Sequence, residues 1–461
     1  MKTKGIFLAS LLALSPLVAD EQSLQRQIDE LTERVDQNEL QAALSKVKFG
    51  LDFNTSVNNF FVNNNGGTGA GWNQPNKWLM GVYLNMNADV TKYAKFTGRL
   101  AMTKAFGDLS WMPASTAITS LDTGKGFSGG TAIYVERAYV DLFLGNYLAF
   151  TVGRLPGTEG PGYNLRNGAA RMSTYPALLV NALGDGGVIT LKPYTDSALR
   201  VGFAKVYQPL YVTANSGAGS IFNESGGYPE ADMNLWFAAF ETPFLPKSAG
   251  KSLAMLSYVY VTNYSLPNAL LIQGVSNNSG VNITNALPGG DGTNIGDLSY
   301  LNLHLENYNL YGSGFSWFFS FTWQNGSNAQ NFLSATGSLS ALAPFVPLLQ
   351  QGVFSEGNAF ALHVGARQDL GKYFKVGYEY FHGSDRWYAF SRVSANDPMN
   401  IRNTRGNVHD VYVIWQLDQF QFFRLSYTYL HRNHRMASSF SAPTPDNVSV
   451  QNLALAYVLR F

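Results

Sequence analysis

From Lys46 onward, apolar and polar residues alternate along the chain. Leu301, Leu303 and Leu305 are separated by Asn302, His304 and Glu306. Val411, Val413, Trp415 and Leu417 interleave with Asp410, Tyr412, Ile414 and Gln416, and Trp317, Phe319, Phe321 and Trp323 with Ser316, Phe318, Ser320, Thr322 and Gln324. A period of two sends successive side chains to opposite faces of a strand. A soluble sandwich would alternate too. Segments of roughly ten to thirteen residues, with almost no charge on the apolar face, favour strands that cross a membrane.

The pattern predicts about sixteen strands, an even number as in bacterial barrels. Their spans are 46–58, 77–90, 93–106, 132–144, 148–155, 187–194, 197–207, 232–244, 251–263, 298–310, 313–325, 358–370, 372–384, 408–418, 420–433 and 448–461. Connections alternate in length. Short ones include 90–92, 145–147, 195–196, 311–312 and 371–372, whereas 59–76, 107–131, 156–186, 208–231, 264–297, 326–357, 385–407 and 434–447 are long and rich in Gly, Asn and Ser. Insertion from the periplasm leaves short turns on one side and long loops on the other. A sandwich has no reason to sort its loops by end. The expected fold is all-β: a closed antiparallel transmembrane barrel over residues 46–461, preceded by a short coiled-coil-like helix.

That helix is read over residues 20–45. Leu24, Ile28, Leu31, Val35, Asn38 and Ala42 follow spacings of four and three, with charged residues elsewhere. The seam lasts about three heptads, marginal for an isolated coiled coil. Two roles stay open: an amphipathic helix lying on or plugging the barrel, and a periplasmic helix that trimerises, with Asn38 fixing register. Residues 1–19 read as a secretory signal peptide, with Lys2 and Lys4, an apolar run from Ile6 to Leu14, and Ala19 before the cut.

Composition narrows the class. Charged residues are 14% of 461, below the roughly 25% of soluble domains. No later run of eighteen apolar residues exists, which excludes a helical membrane protein. Removing the leader takes 32 basic residues to 30 against 31 acidic ones, so nothing points to nucleic acid. There is no Cys, hence no disulfide or thiolate metal site. Leu453, Leu455, Tyr457, Leu459 and the terminal Phe461 share one face, the expected assembly signal for the barrel assembly machinery. Trp78, Tyr93, Tyr134, Tyr147, Tyr373, Tyr378, Tyr380, Tyr427 and Tyr429 are expected in interfacial girdles against outer-membrane lipid.

A sixteen-strand barrel is too wide for its own side chains to fill. Chemistry would then reside in inward loops and wall charges. The third outer loop, 156–186, is unusually apolar at Tyr175-Pro-Ala-Leu-Leu-Val180 and carries Glu159, Arg166, Arg171 and Asp185. It is expected to narrow the pore; the alternative is packing on neighbouring loops or on a trimer partner. Strand parity puts Lys95, Arg99, Arg137, Arg200, Arg367, Lys375 and Arg424 on the lumen wall, opposed by Asp141, Glu306, Glu379 and Asp410. Seven bases against four acids predict a mild anion preference, unless many pair as structural ladders. Gly126-Phe-Ser-Gly-Gly130 matches a nucleophile elbow only formally, lacking its strand-to-helix setting. His431 and His434 have no carboxylate cluster beside them. No enzyme, metal or other cofactor is expected.

Three blocks carry a resemblance: Phe96-Thr-Gly-Arg-Leu-Ala-Met102, Glu136-Arg-Ala-Tyr-Val-Asp141, and Phe150 through Gly162 with Arg171-Met-Ser-Thr-Tyr-Pro176. In these the chain resembles an outer-membrane protein family of epsilon-class proteobacteria, known as a domain of unknown function. In layout it is also similar to trimeric general porins. The resemblance implies a barrel in the outer membrane of a Gram-negative cell and no particular activity. The expected function is a porin-type channel, a homotrimer passing small polar or ionic solutes. The alternative is a plugged barrel with a structural or adhesive role.

Overall fold

The computed structural model resolves the alternation into sixteen antiparallel strands, each hydrogen-bonded to its neighbours in sequence, and β1 pairs with β16 to close the barrel. It describes residues 47–64, 71–106, 133–168, 171, 173–194, 196–207, 233–267, 292–329, 354–391, 393–436 and 440–461. The expected leader (1–19), the helix (20–45), the Gly126–Gly130 motif and much of the second, fourth, fifth and sixth outer loops lie outside these. The strands are β1 (Val47–Asn64), β2 (Trp72–Thr91), β3 (Ala94–Ala105), β4 (Tyr134–Leu144), β5 (Leu148–Arg154), β6 (Asp185–Tyr194), β7 (Ser197–Tyr207) and β8 (Met233–Thr242). They continue as β9 (Lys251–Pro267), β10 (Gly292–Tyr308), β11 (Phe315–Ser327), β12 (Gly357–Leu370), β13 (Phe374–Gly383), β14 (Arg405–Gln416), β15 (Gln421–His434) and β16 (Pro445–Arg460).

Closure leaves no open edge, which hydrocarbon would not hydrate. The seam runs from Asp52↔Arg460 to Asn64↔Val448, and Phe461 N–H donates to Leu51 O at 3.0 Å. Alternation assigns the faces. On β10, Leu301 and Leu303 are 43% and 40% exposed on the outer surface, while Asn302 and His304, which alternate with them, are fully buried. Leu453, Leu455 and Phe461 also face outward and exposed; Tyr457 lies beside Phe423 and donates to Gln421 Oε1, and Leu459 pairs with Phe53.

Several boundaries differ from expectation. β1 runs on to Asn64 and β2 starts at Trp72, so the first outer loop is far shorter than 59–76. β9 and β10 likewise extend to Pro267 and from Gly292. Their polar ends lacked the apolar alternation that marks a lipid-facing strand, yet they pair above the belt. In β4 the pairing jumps from Arg99↔Arg137 to Leu100↔Val135. Glu136 is the extra residue of a β-bulge, so Glu136 and Arg137 both turn inward and are buried. Tyr134, opposite inward Ala101, belongs to this interior rather than to a girdle.

The apolar core sits inside the barrel. Inward residues such as Val206, Phe237, Val259, Tyr300 and Phe381 meet Leu178 and Leu179 of the third outer loop and Trp387 and Phe390 of the seventh. Each such side chain contributes roughly 1.5–3 kcal/mol by burial. The filled side of the lumen is the one bounded by β6 to β15, where Val408 and Leu430 join the same core.

Candidate functional site in the barrel interior

Residues 155–168 and 173–184 leave the rim and lie in the lumen. A single helical turn, α1 (Asn164–Asn167), lies buried there and ends at Gly168 in the left-handed conformation, φ +57°. The last carbonyls of a helix have no partner within it. Here three wall arginines supply them: Arg367 donates to Leu165 O at 3.1 Å, Arg424 to Arg166 O at 3.1 Å, and Arg460 to Asn167 O at 2.9 Å. These cations also sit at the favourable end of the peptide dipole. Arg424 further donates to Asn167 Oδ1 at 2.6 Å. Arg166 reaches Asp410 at 2.5 Å, and donates to Asn396 O at 2.9 Å. Burial works to lower its pKa, but Asp410, Glu379 and Asp397 outweigh that and raise it. Burial raises the nearby Tyr163 hydroxyl well above its usual value, so it stays neutral.

The start of the loop is fixed by a buried ion cluster. Arg99 contacts Glu159 at 2.8 Å, Asp52 at 3.1 Å and Glu136 at 3.3 Å, with its guanidinium 4.1 Å from the Tyr83 ring centroid. Arg137 donates to both Thr158 oxygens at 3.0 Å, and Thr158 donates to Glu136 at 2.7 Å. Gly160 explains why the chain can turn here. A Cβ on it would fall 1.5 Å from the Tyr175 carbonyl oxygen, so only glycine permits the loop's two arms to meet.

The expected constriction residues separate. Glu159 and Arg166 anchor the loop inside, and Arg171 binds Glu241 at 2.6 Å, a carboxylate shared with Arg200 at 2.8 Å. Asp185 does not belong to the loop interior. It begins β6, is exposed, and forms a two-pronged pair with Arg154 at 2.8 and 2.9 Å on the outer surface. β6 starts two residues earlier than expected and takes Asp185 out of the constriction loop onto the outward face of the strand.

Every predicted wall residue faces inward, and most are bound to structural partners. Glu306 and Glu379 each hold a buried histidine, His304 and His363, at 3.1 Å. Arg367 also pairs with Asp369 at 2.8 Å. Lys95 and Lys375 have no ion pair among the described residues, and Asp141 accepts from Thr151 at 2.6 Å.

Sequence reasoning missed Asp52, Glu241 and Arg460, although strand parity places all three inward. It missed Glu136 because of the bulge. It also missed the seventh outer loop, which folds inward like the third. Arg402 of that loop lies 4.7 Å from the Tyr163 ring centroid, Asn181 N–H donates to Phe390 O at 2.9 Å, and Asn54 donates to Asn396 Oδ1 at 2.7 Å. Trp387-Tyr-Ala-Phe390 is the same kind of apolar run that pointed to the third loop. Arg405, buried, ties this loop to the eighth by donating to the carbonyls of Trp387, Arg386 and Ser441 at 3.0–3.3 Å.

A cavity of about 460 Å³ lies between the third loop, Asn396 of the seventh, and the walls of β16 and β1 to β4. Five basic residues line it (Lys95, Arg99, Arg137, Arg171, Arg460) against three acidic ones, Asp52, Asp141 and Glu159. Asparagine, threonine and tyrosine side chains make up much of the rest. It extends from Glu159 to the level of Lys95 and Asp141, beside the short turns. Among the described residues no group of three or more His, Asp or Glu is placed to hold a metal ion.

No curated protein matches the chain. Among solved structures it is similar to OprB of Pseudomonas putida at high pH, 11% identical over 91% of this chain and 96% of that one, with a TM-score of 0.48. In-vitro folded OmpT, an outer membrane protein of Vibrio cholerae, is 12% identical over 90% and 97%, with a TM-score of 0.44. Its trimer form gives 12%, 89%, 99% and 0.40. At these identities and scores neither a substrate nor an activity transfers. The family model described as a protein of unknown function, DUF3373, matches residues 74–449, and the chain belongs to that family.

Proposed function

We propose that the protein is a porin-type channel of the outer membrane, passing small polar or ionic solutes by diffusion. The observation that carries this is the polar cavity of about 460 Å³ beside the third outer loop, inside a wall whose outward face is apolar. The solute path runs along β16 and β1 to β4, because apolar packing fills the other side. Glu159, Arg166 and Arg171 hold the constriction, and the excess of basic over acidic lining gives it a mild anion preference. The reading needs no catalytic residue and no cofactor. It includes export through a cleaved leader, insertion read from Tyr457, Leu459 and Phe461, and homotrimers formed through residues 20–45. Deleting 21–45 should shift the oligomer on a native gel; unchanged mass removes that role.

In a planar bilayer the purified protein should give stepwise conductance, with a reversal potential in a KCl gradient on the chloride side. Cation selectivity would overturn the charge assignment. A second reading has its own support: the third and seventh loops, with buried Phe440 of the eighth, fill much of the outer half, as a plugged adhesive or structural platform would. Persistent electrical silence favours that platform.

A further inference from the structure

The cavity differs from a bare water path in three respects. Lys95 has no ion pair among the described residues, and Arg460 has none either; its guanidinium, 5.8 Å from the Phe422 ring centroid, donates to Asn167 O at 2.9 Å and to no other described residue, leaving donors unused. Asn164, only 4% exposed, lines the same space, and its Oδ1 accepts no hydrogen bond among the described residues. A buried polar atom left unpaired is costly, so this acceptor suits a hydroxyl donor from a bound solute. Asn85 and Asn87 add amides on the facing wall. A volume of about 460 Å³ lies within the ~300–1,000 Å³ range of small-molecule sites.

We infer that the cavity is a binding subsite for hydroxylated organic anions of sugar-acid type. Lys95 and Arg460 take the carboxylate and Asn164 takes a hydroxyl. The inference rests on the channel reading and deepens it. Charge alone would select any anion, and amides alone any polyol. The combination demands both features on one solute.

The test is single-channel recording in KCl with gluconate, acetate or glucose added. Gluconate carries both features, acetate only the carboxylate and glucose only the hydroxyls. Gluconate should interrupt chloride current with resolved, concentration-dependent blocking events, at concentrations at least about tenfold below those of acetate or glucose. Lys95→Gln should weaken the block about tenfold. Lys247→Gln, at an exposed short turn, should leave it unchanged. Arg460→Gln alters the assembly strand, so Lys95→Gln and Asn164→Ala carry the test if that variant fails to insert. Absence of any conductance sinks the channel reading itself. Conductance with gluconate no more effective than acetate or glucose, or block indifferent to Lys95→Gln, overturns this inference alone.

Discussion

Glu159 has φ +62°, a left-handed conformation that side chains other than glycine adopt at a cost of ~1–3 kcal/mol. Its N–H donates to Asn181 Oδ1 at 3.2 Å, and its carboxylate contacts Arg99 at 2.8 Å. The anchor outweighs the strain because its partner is buried and charged. Glu159→Gln leaves Arg99 with Asp52 and Glu136, so the loss falls at the lower end of the ~3–5 kcal/mol for breaking a buried pair. Thermal unfolding of the detergent-solubilised protein should shift down, and the single-channel current should become noisier as the loop loosens. Unchanged melting and current would mean that the loop is held elsewhere. At this scale the sequence was legible wherever strand parity held: Lys95, Arg99 and Asp410 point where alternation put them. It failed at Glu136, where one inserted residue changes the parity, and at Asp185, where a strand starts earlier.

Alternation was enough to place all sixteen strands, because a strand facing lipid on one side and water or packed polar groups on the other must alternate. Boundaries drifted where strands rise above the belt and lose that contrast. The third loop betrayed its inward course through Tyr175–Val180, and the seventh carried an equal sign in Trp387–Phe390. What sequence could not give was the target of those runs, since contacts such as Arg166–Asp410 join residues far apart in the chain. The outward face makes a sharp prediction. Leu303→Arg, exposed in mid-strand, should destabilise the inserted barrel by ~2–4 kcal/mol in a urea titration from lipid vesicles. Lys247→Gln should change it by less than ~0.5 kcal/mol. Equal effects would mean that the outward face does not meet hydrocarbon.

At the scale of the molecule, the barrel interior is divided into an apolar core toward the long loops and a polar cavity toward the short turns. Two loops build an apolar core against β6 to β15, and a polar cavity is left against β16 and β1 to β4. The wall arginines that sequence counting treated as free pore charge are largely spent: Arg367 and Arg424 cap α1, and Arg99 and Arg137 hold the loop's entry. The proposed anion preference therefore rests on the excess around Lys95 and Arg460 rather than on a ring of seven. Because the chain contains no cysteine, single cysteines report the two sides separately. The decisive measurement is single-channel conductance of Thr97→Cys, on the cavity wall, and Ser257→Cys, buried on the filled side, before and after a charged, membrane-impermeant methanethiosulfonate. A stepwise fall in current for Thr97→Cys with no change for Ser257→Cys is the predicted result. Equal modification of both, or conducting channels in which Thr97→Cys never reacts, would contradict a path confined to the β16–β4 side.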